Sequence, residues 1–165
     1  MDMRPKLFIL TLLCLGCQPA GEQAFRKPPT AKQVTGKVTS VDDGDTLTMA
    51  GDEVEYRIRL FGVDCPEHGQ PFGEEAKQFT RNMVLGREVQ VKVLDRDRYD
   101  WLVGKVYLPD GPLLNHELAR EGLAWHYKRY APHDDLLASL QAQAREAGRG
   151  LWAAEAPVAP WEWRG

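Results

Sequence analysis

One stretch of the sequence decides the fold: residues 54–67, which read VEYRIRLFGVDCPE. Its first half alternates between two faces, with Val54, Tyr56, Ile58 and Leu60 on the apolar face and Glu55, Arg57, Arg59 and Phe61 on the other. A period of two over this length predicts a β-strand with one face in a core. Arg59 therefore points away from the apolar side. Residues 62–71 contain two glycines and two prolines, which predict a loop.

Shorter patterns on both sides of this strand extend the prediction to a barrel. Alternating residues predict further strands at 34–41, 46–49, 88–94 and 102–108, and helical spacing predicts helices at 74–85, 113–121 and 134–147. Five short strands around a helix, followed by two more helices, predict an α+β fold: a small antiparallel barrel of the OB type with three helices. Residues 153–165, rich in Ala, Pro and Trp, are predicted to have no regular structure.

The composition limits the class of protein. The chain has 165 residues, of which 43% are hydrophobic and 27% charged, and its formal net charge is −3. This length suits one domain that buries a core without disulfides, and a mean hydropathy of −0.44 excludes a polytopic membrane protein. An acidic chain is not typical of proteins that bind nucleic acid through overall charge. A polyanionic ligand would therefore require a local basic patch or a metal ion.

The N-terminal segment has the features of a targeting signal. Arg4 and Lys6 precede a run of nine mostly apolar residues, 7–15, which is too short to span a bilayer comfortably. Residues 1–16 resemble a bacterial lipoprotein signal peptide, with Cys17 as the lipidated N-terminus of an exported, membrane-anchored protein. An ordinary secretory signal or an uncleaved anchor are the alternatives. Residues 17–33 are interpreted as a tether and residues 34–152 as the folded domain.

The cysteines raise the question of a zinc site. Cys14, Cys17, Cys65 and His68 are the four candidate ligands of a Cys3His site. Two of them lie inside the targeting segment, far along the chain from the other pair, and zinc is therefore rejected. Cys65 is expected to be a free thiol, and the fold is expected to depend on its core alone.

Three carboxylates lie at strand ends and loops. Asp45 begins one strand, Asp64 is expected to close the strand that pairs with it, and Glu67 follows shortly after. Two neighbouring carboxylates repel each other, which favours a bound cation, and hard oxygen ligands without histidine favour Ca²⁺ or Mg²⁺. With Arg59 placed to contact an anion and Glu67 available as a base, these residues have the components of phosphoryl-transfer chemistry.

The ordered series of motifs resembles the staphylococcal nuclease (thermonuclease) family. The matching segments are Asp45-Thr46, the run from Arg59 to Glu67, Asp97-Arg98-Tyr99, the run from Val103 to Tyr107, Leu114-Asn115, the run from Arg120 to Ala124, and the run from Ala147 to Trp152. The resemblance extends from about Val34 to Trp152.

The resemblance implies calcium-dependent cleavage of phosphodiester bonds in DNA and RNA by a monomer with an OB-fold barrel. By position, Asp45 and Asp64 match the calcium ligands, and Cys65 matches a ligand that uses its backbone carbonyl. Glu67 matches the residue usually assigned as the general base on the attacking water. Arg59 matches one of two arginines that hold the phosphate through the transition state.

The second of these arginines is missing. The family pattern after the charged turn is Tyr-Gly-Arg, whereas this chain reads Tyr99-Asp100-Trp101. Losing one transition-state donor typically lowers the rate by ~10²–10³. Compensating charges are available nearby, on Arg96, Arg98 and Lys105. Trp101 itself would either stack on a base or pack against the rim of the barrel.

The segment 125–130 bears on the substrate because it interleaves aromatic residues with cations. Such a pattern is typical of a groove for single-stranded DNA or RNA, although an aromatic core segment is the alternative. Its tyrosines, Tyr127 and Tyr130, resemble the pair that stacks on substrate in the family. Together with Arg98, Tyr99 and Trp101 they form the predicted substrate-binding set. A non-catalytic OB module that binds nucleic acid with a degenerate site is the rival hypothesis.

Overall fold

The computed structural model describes residues 32–165. The strands are β1 (Gln33–Val41), β2 (Thr46–Ala50), β3 (Glu55–Leu60), β4 (Val63–Asp64), β5 (Glu88–Arg96), β6 (Leu102–Tyr107) and β7 (Trp125–His126). The helices are α1 (Gly73–Val84), α2 (Leu114–Arg120), α3 (Asp135–Glu146) and the one-turn α4 (Pro160–Trp163), with a short 3₁₀ helix at Gly150–Ala153. Five of the strands close into a barrel in the order β1-β2-β3-β6-β5, and β4 and β7 form a separate two-stranded sheet.

The predicted α+β barrel with five strands is confirmed, and so are its three longer helices. The barrel is not wholly antiparallel, because β3 and β6 run parallel, with Ile58 opposite Leu102. The chain between these two strands passes through α1 and β5, and a crossover of this length is what parallel pairing requires. The other four neighbouring pairs in the barrel are antiparallel.

Two predictions about local structure are wrong. Asp64 does not close β3, because Gly62, with a φ of 78°, ends that strand in a turn. Asp64 lies on β4, where it pairs with Trp125 of β7. Strands of two residues are too short to show a period in the sequence. In the segment 153–165, where no regular structure was expected, α4 begins with Pro160, a residue whose fixed φ suits the first position of a helix.

The core fills the inside of the barrel and continues beneath the helices. Its most buried strand residues, each no more than 1% exposed, are Val38, Leu47, Met49, Ile58, Val91 and Val106. The α1 helix packs against β1 and α2, and α2 packs against α3 and β6. Interior positions alternate with outward ones along each strand. The outward residues at the end of β3 and the start of β2 are therefore available for a site on the rim.

The N-terminal predictions concern a part of the chain that is mostly not described. The predicted signal peptide (1–16) and residues 17–31 of the predicted tether lie outside the described residues. Gln33, the last residue of that tether, is instead the first residue of β1 and pairs with Lys92. Within residues 32–165 no helix is both long and apolar enough to cross a membrane.

Candidate active site

Asp45 is the residue immediately before β2, and its hydrogen bonds connect this end of β2 to the end of β3 and to the residue after β4. Its backbone carbonyl accepts a hydrogen bond from Leu60 N at 2.9 Å, which connects it to the end of β3. Its side-chain Oδ2 accepts from Cys65 N at 2.9 Å, next to β4, and Oδ1 accepts from Thr46 Oγ1 at 3.1 Å. Asp45 is 4% exposed, and burial together with the charges of Asp43 and Asp64 raises its pKa well above the usual range. Burial is the largest cause of this rise, and the two neighbouring carboxylates add to it.

Gly44 allows the loop that carries Asp45 to pack closely against its neighbours. Thr80 of α1 donates a hydrogen bond from Oγ1 to the carbonyl of Gly44 at 2.6 Å. A Cβ atom at position 44 would lie 2.7 Å from Cβ of Cys65 and 2.8 Å from Cβ of Ala76. Glycine is therefore required where this loop meets α1 and the residue after β4.

Asp64 is fully buried and is contacted by two guanidinium groups. Arg164 donates from Nη2 to Oδ2 at 2.8 Å and from Nη1 to Oδ1 at 3.2 Å. Arg59 Nη2 lies 3.7 Å from Oδ1 of the same carboxylate. The pairing of β4 with β7 fixes the backbone of Asp64, so the carboxylate stays next to Cys65 and Asp45.

Arg59 lies on β3 opposite Thr46 and faces both aspartates. Burial lowers the pKa of the Arg59 guanidinium, but the charges of Asp45 and Asp64 raise it by more, so the pKa is raised overall. The guanidinium is therefore a permanent cation beside the two carboxylates. Its side chain is 38% exposed, which leaves donors available to an anion in the cleft.

Glu67 is held by its own loop and by the C-terminal segment. Gln70 accepts a hydrogen bond from Glu67 N through Oε1 at 2.9 Å, and Gln70 N donates to the carbonyl of Glu67 at 3.0 Å. The Glu67 side chain accepts a hydrogen bond from Arg164 Nη1. Gln70 is 6% exposed and also donates from Nε2 to the carbonyl of Val158 at 2.8 Å. Gln70 and Arg164 both contact Glu67, and the sequence patterns predict neither contact, since neither residue lies in a periodic segment.

The charged turn before β6 is built around Asp97. Asp97 Oδ1 accepts hydrogen bonds from the amides of Tyr99 at 2.8 Å and Trp101 at 3.0 Å. Asp100 has a φ of 64°, a conformation that favours glycine, the residue at this place in the family pattern. Arg96 Nη1 donates to the Asp100 side chain at 3.1 Å.

Trp101 packs at the rim beneath an arginine. The guanidinium of Arg57 lies 4.2 Å from the centre of the Trp101 ring, and the ring of Tyr99 lies 5.5 Å away. Of the proposed compensating charges, Arg98 lies over the ring of Tyr99 at 4.7 Å. Lys105 instead pairs with Asp134 at 2.9 Å and is not among the residues that line the cleft.

The segment 125–130 is divided between core and cleft. His126 is buried, and its Nε2 lies 2.7 Å from the carbonyl of Ala131. Tyr127 and Tyr130 line the cleft, with their rings 4.9 Å apart in an edge-to-face arrangement. Part of this segment therefore belongs to the core, and its two tyrosines line the cleft.

One cleft brings the predicted residues together. It has a volume of about 750 Å³, and its lining includes Asp45, Arg59, Cys65, Glu67, Arg98, Tyr99, Trp101, Tyr127, Tyr130 and Arg164. Asp64 lies behind this lining, 0% exposed, and is reached through Arg59 and Arg164. Carboxylates and arginines occupy the same cleft as exposed aromatic rings.

The donor set at the rim suits a hard cation. Among residues 32–165, no three or more His, Cys, Asp or Glu side chains are grouped as a metal site. The candidate ligands are instead the carboxylates of Asp45 and Asp64 and the backbone carbonyl of Cys65, all oxygen atoms that calcium and magnesium prefer. Burial raises the pKa of the Cys65 thiol, which keeps it protonated and unsuited to zinc. Burial and the neighbouring carboxylates make the ionised form of Asp45 costly, and a bound cation would offset that cost.

Fold and cleft together define an OB-barrel protein with a nuclease-like site. A family model described as staphylococcal nuclease homologue matches residues 57–154. The chain therefore belongs to the staphylococcal nuclease family.

Relatives are similar over most of this chain. An Escherichia coli protein described as an uncharacterized endonuclease is 39% identical over 140 residues, which cover 85% of this chain and 91% of the relative. A Haemophilus influenzae protein of the same description is 34% identical over 131 residues, covering 79% and 72%. A rice protein (Oryza sativa subsp. japonica) described as probable staphylococcal-like nuclease CAN1 is 44% identical over 117 residues, covering 69% and 35%.

Proposed function

We propose that this protein is a calcium-dependent nuclease that hydrolyses phosphodiester bonds in single-stranded DNA and RNA. Membership of the family and the names of its relatives support the nuclease activity. The more specific proposal, calcium-dependent hydrolysis, rests on one observation: Arg59, Glu67 and the neighbouring carboxylates of Asp45 and Asp64 meet at one cleft.

The roles of the residues follow from their positions. Asp45, Asp64 and the carbonyl of Cys65 would hold calcium, which when bound offsets the charge of the phosphate and lowers the pKa of water. Glu67 accepts the proton of the attacking water as a general base. Arg59 donates hydrogen bonds to the non-bridging phosphate oxygens, and these bonds strengthen as negative charge develops in the transition state.

The aromatic residues favour unpaired bases as the substrate. Tyr99 is 60% exposed and Tyr130 is 58% exposed, and both line the cleft with Tyr127 and Trp101. Exposed rings stack on unpaired bases of any identity, at ~1–3 kcal/mol per base, whereas a duplex keeps its bases stacked inside. The charge of Arg98 beside Tyr99 suits the backbone of such a strand. We therefore propose single-stranded or frayed DNA and RNA as substrates of a monomeric enzyme.

The second candidate function is a non-catalytic OB module that binds single strands. The observation that favours it is Trp101, which carries no charge where the family pattern has an arginine. A protein of this kind would have no use for Glu67, which lies in the cleft with one carboxylate oxygen bonded to Arg164.

The test compares cleavage of denatured DNA in calcium and in chelator by the purified protein. Glu67→Gln is expected to lower the cleavage rate by ~10²–10⁴, because the attacking water loses its base. Glu74→Gln, which changes an exposed carboxylate on α1, is the matched control and should cleave normally. Binding of denatured DNA without cleavage, with cleavage appearing in Trp101→Arg, would instead establish the non-catalytic module.

We also propose that the protein is exported and anchored through lipid on Cys17. The proposal is supported by the signal-like residues 1–16 and by an oxygen-ligand site for calcium, an ion that is abundant outside cells. Growth with a labelled fatty acid tests it, because the label should appear in the protein and be absent from Cys17→Ala. Label in neither protein would contradict it.

A further inference from the structure

The cleft contains a guanidinium that no pattern in the sequence predicts. Arg164 bonds Asp64 with both Nη atoms, at 2.8 and 3.2 Å, and bonds Glu67 through Nη1. It therefore contacts the proposed general base and one of the proposed calcium ligands at the same time. Its side chain is 37% exposed, so part of the guanidinium faces the cleft.

Arg164 is brought to the cleft by residues 158–164, here called the C-terminal arm. The carbonyl of Val158 accepts the hydrogen bond from Gln70, and Ala159 and Pro160 are buried. The ring of Trp161 stacks on Tyr127, with centres 5.1 Å apart and planes at 8°. The arm is thus attached at several points before it reaches Asp64. These contacts hold the arm against the rest of the protein and place Arg164 beside Asp64.

The distribution of charge shows what Arg164 contributes. Arg57 lies over Trp101 and pairs with Asp42 at 2.6 Å, and Arg98 lies over Tyr99. At the proposed metal site, the charges of Asp43, Asp45 and Asp64 act on Arg59, while Glu67 bonds Arg164. A phosphodiester adds one negative charge, and the charge on its oxygens increases in the transition state. A second cation beside Arg59 would offset that charge, and Trp101 does not provide one.

We propose that Arg164 is the second phosphate-binding arginine of this nuclease, supplied by the C-terminal arm in place of the residue at position 101. The inference rests on the proposed nuclease function. Arg164 makes and breaks no covalent bond and stays protonated throughout. Its donors bond the carboxylates in the free protein and turn to the non-bridging phosphate oxygens when substrate occupies the cleft. A planar guanidinium suits both partners, because carboxylate and phosphate each accept paired hydrogen bonds.

The first test is the cleavage rate of Arg164→Gln at saturating denatured DNA in calcium. The rate is expected to fall by ~10²–10³, the usual effect of losing one transition-state donor. Arg120→Gln is the matched control, since Arg120 also bonds a carboxylate, that of Glu117, on an exposed face outside the cleft. Its rate should stay within about twofold of the unaltered protein. Melting temperatures within a few degrees of one another show that all three proteins fold.

A second readout does not depend on turnover. In the Glu67→Gln background, where cleavage is suppressed, the Kd for a fluorescent single-stranded oligonucleotide is measured by anisotropy. Adding Arg164→Gln should raise this Kd about tenfold, and adding Arg120→Gln should leave it unchanged, because one charged phosphate contact of about 1.4 kcal/mol is lost in the first case only.

Failure of this inference can be told apart from failure of the proposed function. If Glu67→Gln is inactive while Arg164→Gln cleaves at the normal rate, the nuclease assignment stands and the role of Arg164 is overturned. Faster cleavage by Arg164→Gln would also overturn it, since the arm would then be an inhibitory plug on Asp64. If the unaltered protein does not cleave DNA in calcium, the proposed function is wrong. The role of Arg164 in binding phosphate is then judged by the second test alone, where an unchanged Kd overturns it.

Discussion

Asp64 is a buried carboxylate beside the cleft that requires a positively charged partner. It is 0% exposed, and a buried carboxylate without a partner costs several kcal/mol. Arg164 bonds it directly at 2.8 Å, whereas Arg59 lies farther away, at 3.7 Å. A cation shared with Asp45 would therefore compete with Arg164 for this one carboxylate. Binding of a cation at Asp64 would therefore be coupled to the position of the C-terminal arm.

Asn115 connects the end of β3 to β6 beneath the candidate active site. It is 1% exposed, donates from Nδ2 to the carbonyl of Phe61 at 2.8 Å, and accepts from Val106 N at 3.1 Å. Asn115→Ala should lower the free energy of unfolding by roughly 2–4 kcal/mol, because the buried amide of Val106 and the partly buried carbonyl of Phe61 lose a partner at ~1–3 kcal/mol each.

Urea denaturation measures this loss. Asn82→Ala is the control, since Asn82 accepts a hydrogen bond from Gln78 on an exposed helix face and should cost under about 1 kcal/mol. Equal losses in the two variants would show that Asn115 is not a structural link between β3 and β6.

Among the secondary structure elements, α3 depends on its first turn. Asp134 caps this helix by accepting from Leu137 N at 3.1 Å, and it pairs with Lys105 of β6 at 2.9 Å. Burial alone would raise the pKa of Asp134, but the hydrogen bonds from Lys105 and Leu137 outweigh burial and lower it from 3.8. A carboxyl with a lowered pKa stabilises the folded state above pH 3.8, and this contribution is lost as the pH falls below that value.

Asp134→Asn keeps a capping oxygen but removes the charge. At pH 7 the free energy of unfolding should fall by ~1 kcal/mol, and the difference from the unaltered protein should shrink as the pH is lowered below 3.8. Urea denaturation at a series of pH values measures this difference. Asp110→Asn, at an exposed pair with Arg87, should show almost no difference at any pH. A difference for Asp134→Asn that does not vary with pH would contradict the assignment.

For the whole molecule, binding of nucleic acid depends on a few charges inside an acidic protein. The net charge is −3, so the surface as a whole repels a polyanion. If Arg59, Arg98 and Arg164 make the phosphate contacts, the logarithm of the binding constant should fall with the logarithm of salt concentration with a slope of about −2. Anisotropy titrations of the Glu67→Gln protein at several salt concentrations measure it. A slope steeper than about −5 would indicate a broad basic surface instead.

The sequence allowed much of the fold to be predicted, and most of the candidate site residues that it indicated line one cleft. The alternation around Arg59 and the turn before Asp45 assigned these residues to one rim, because strand periodicity determines which face a side chain occupies. Arg164 and Gln70 could not be predicted, because Arg164 contacts a residue 97 positions away and Gln70 contacts one 88 positions away. Nothing local in the segment 153–165 distinguishes a loose tail from an arm that packs against the cleft. The parallel pairing of β3 with β6 is likewise decided by the path of the whole chain.

The burial of Cys65 makes it possible to measure the rate of local unfolding near Asp45. Its side chain is 3% exposed, burial raises the pKa of its thiol, and its amide is held by Asp45. It is the free cysteine among residues 32–165. An aromatic disulfide reagent can reach this sulfur only during a fluctuation that separates the loop at Gly44 from the residue after β4. The labelling rate of Cys65, followed separately from that of Cys14 and Cys17, therefore measures how often such fluctuations occur in the native protein.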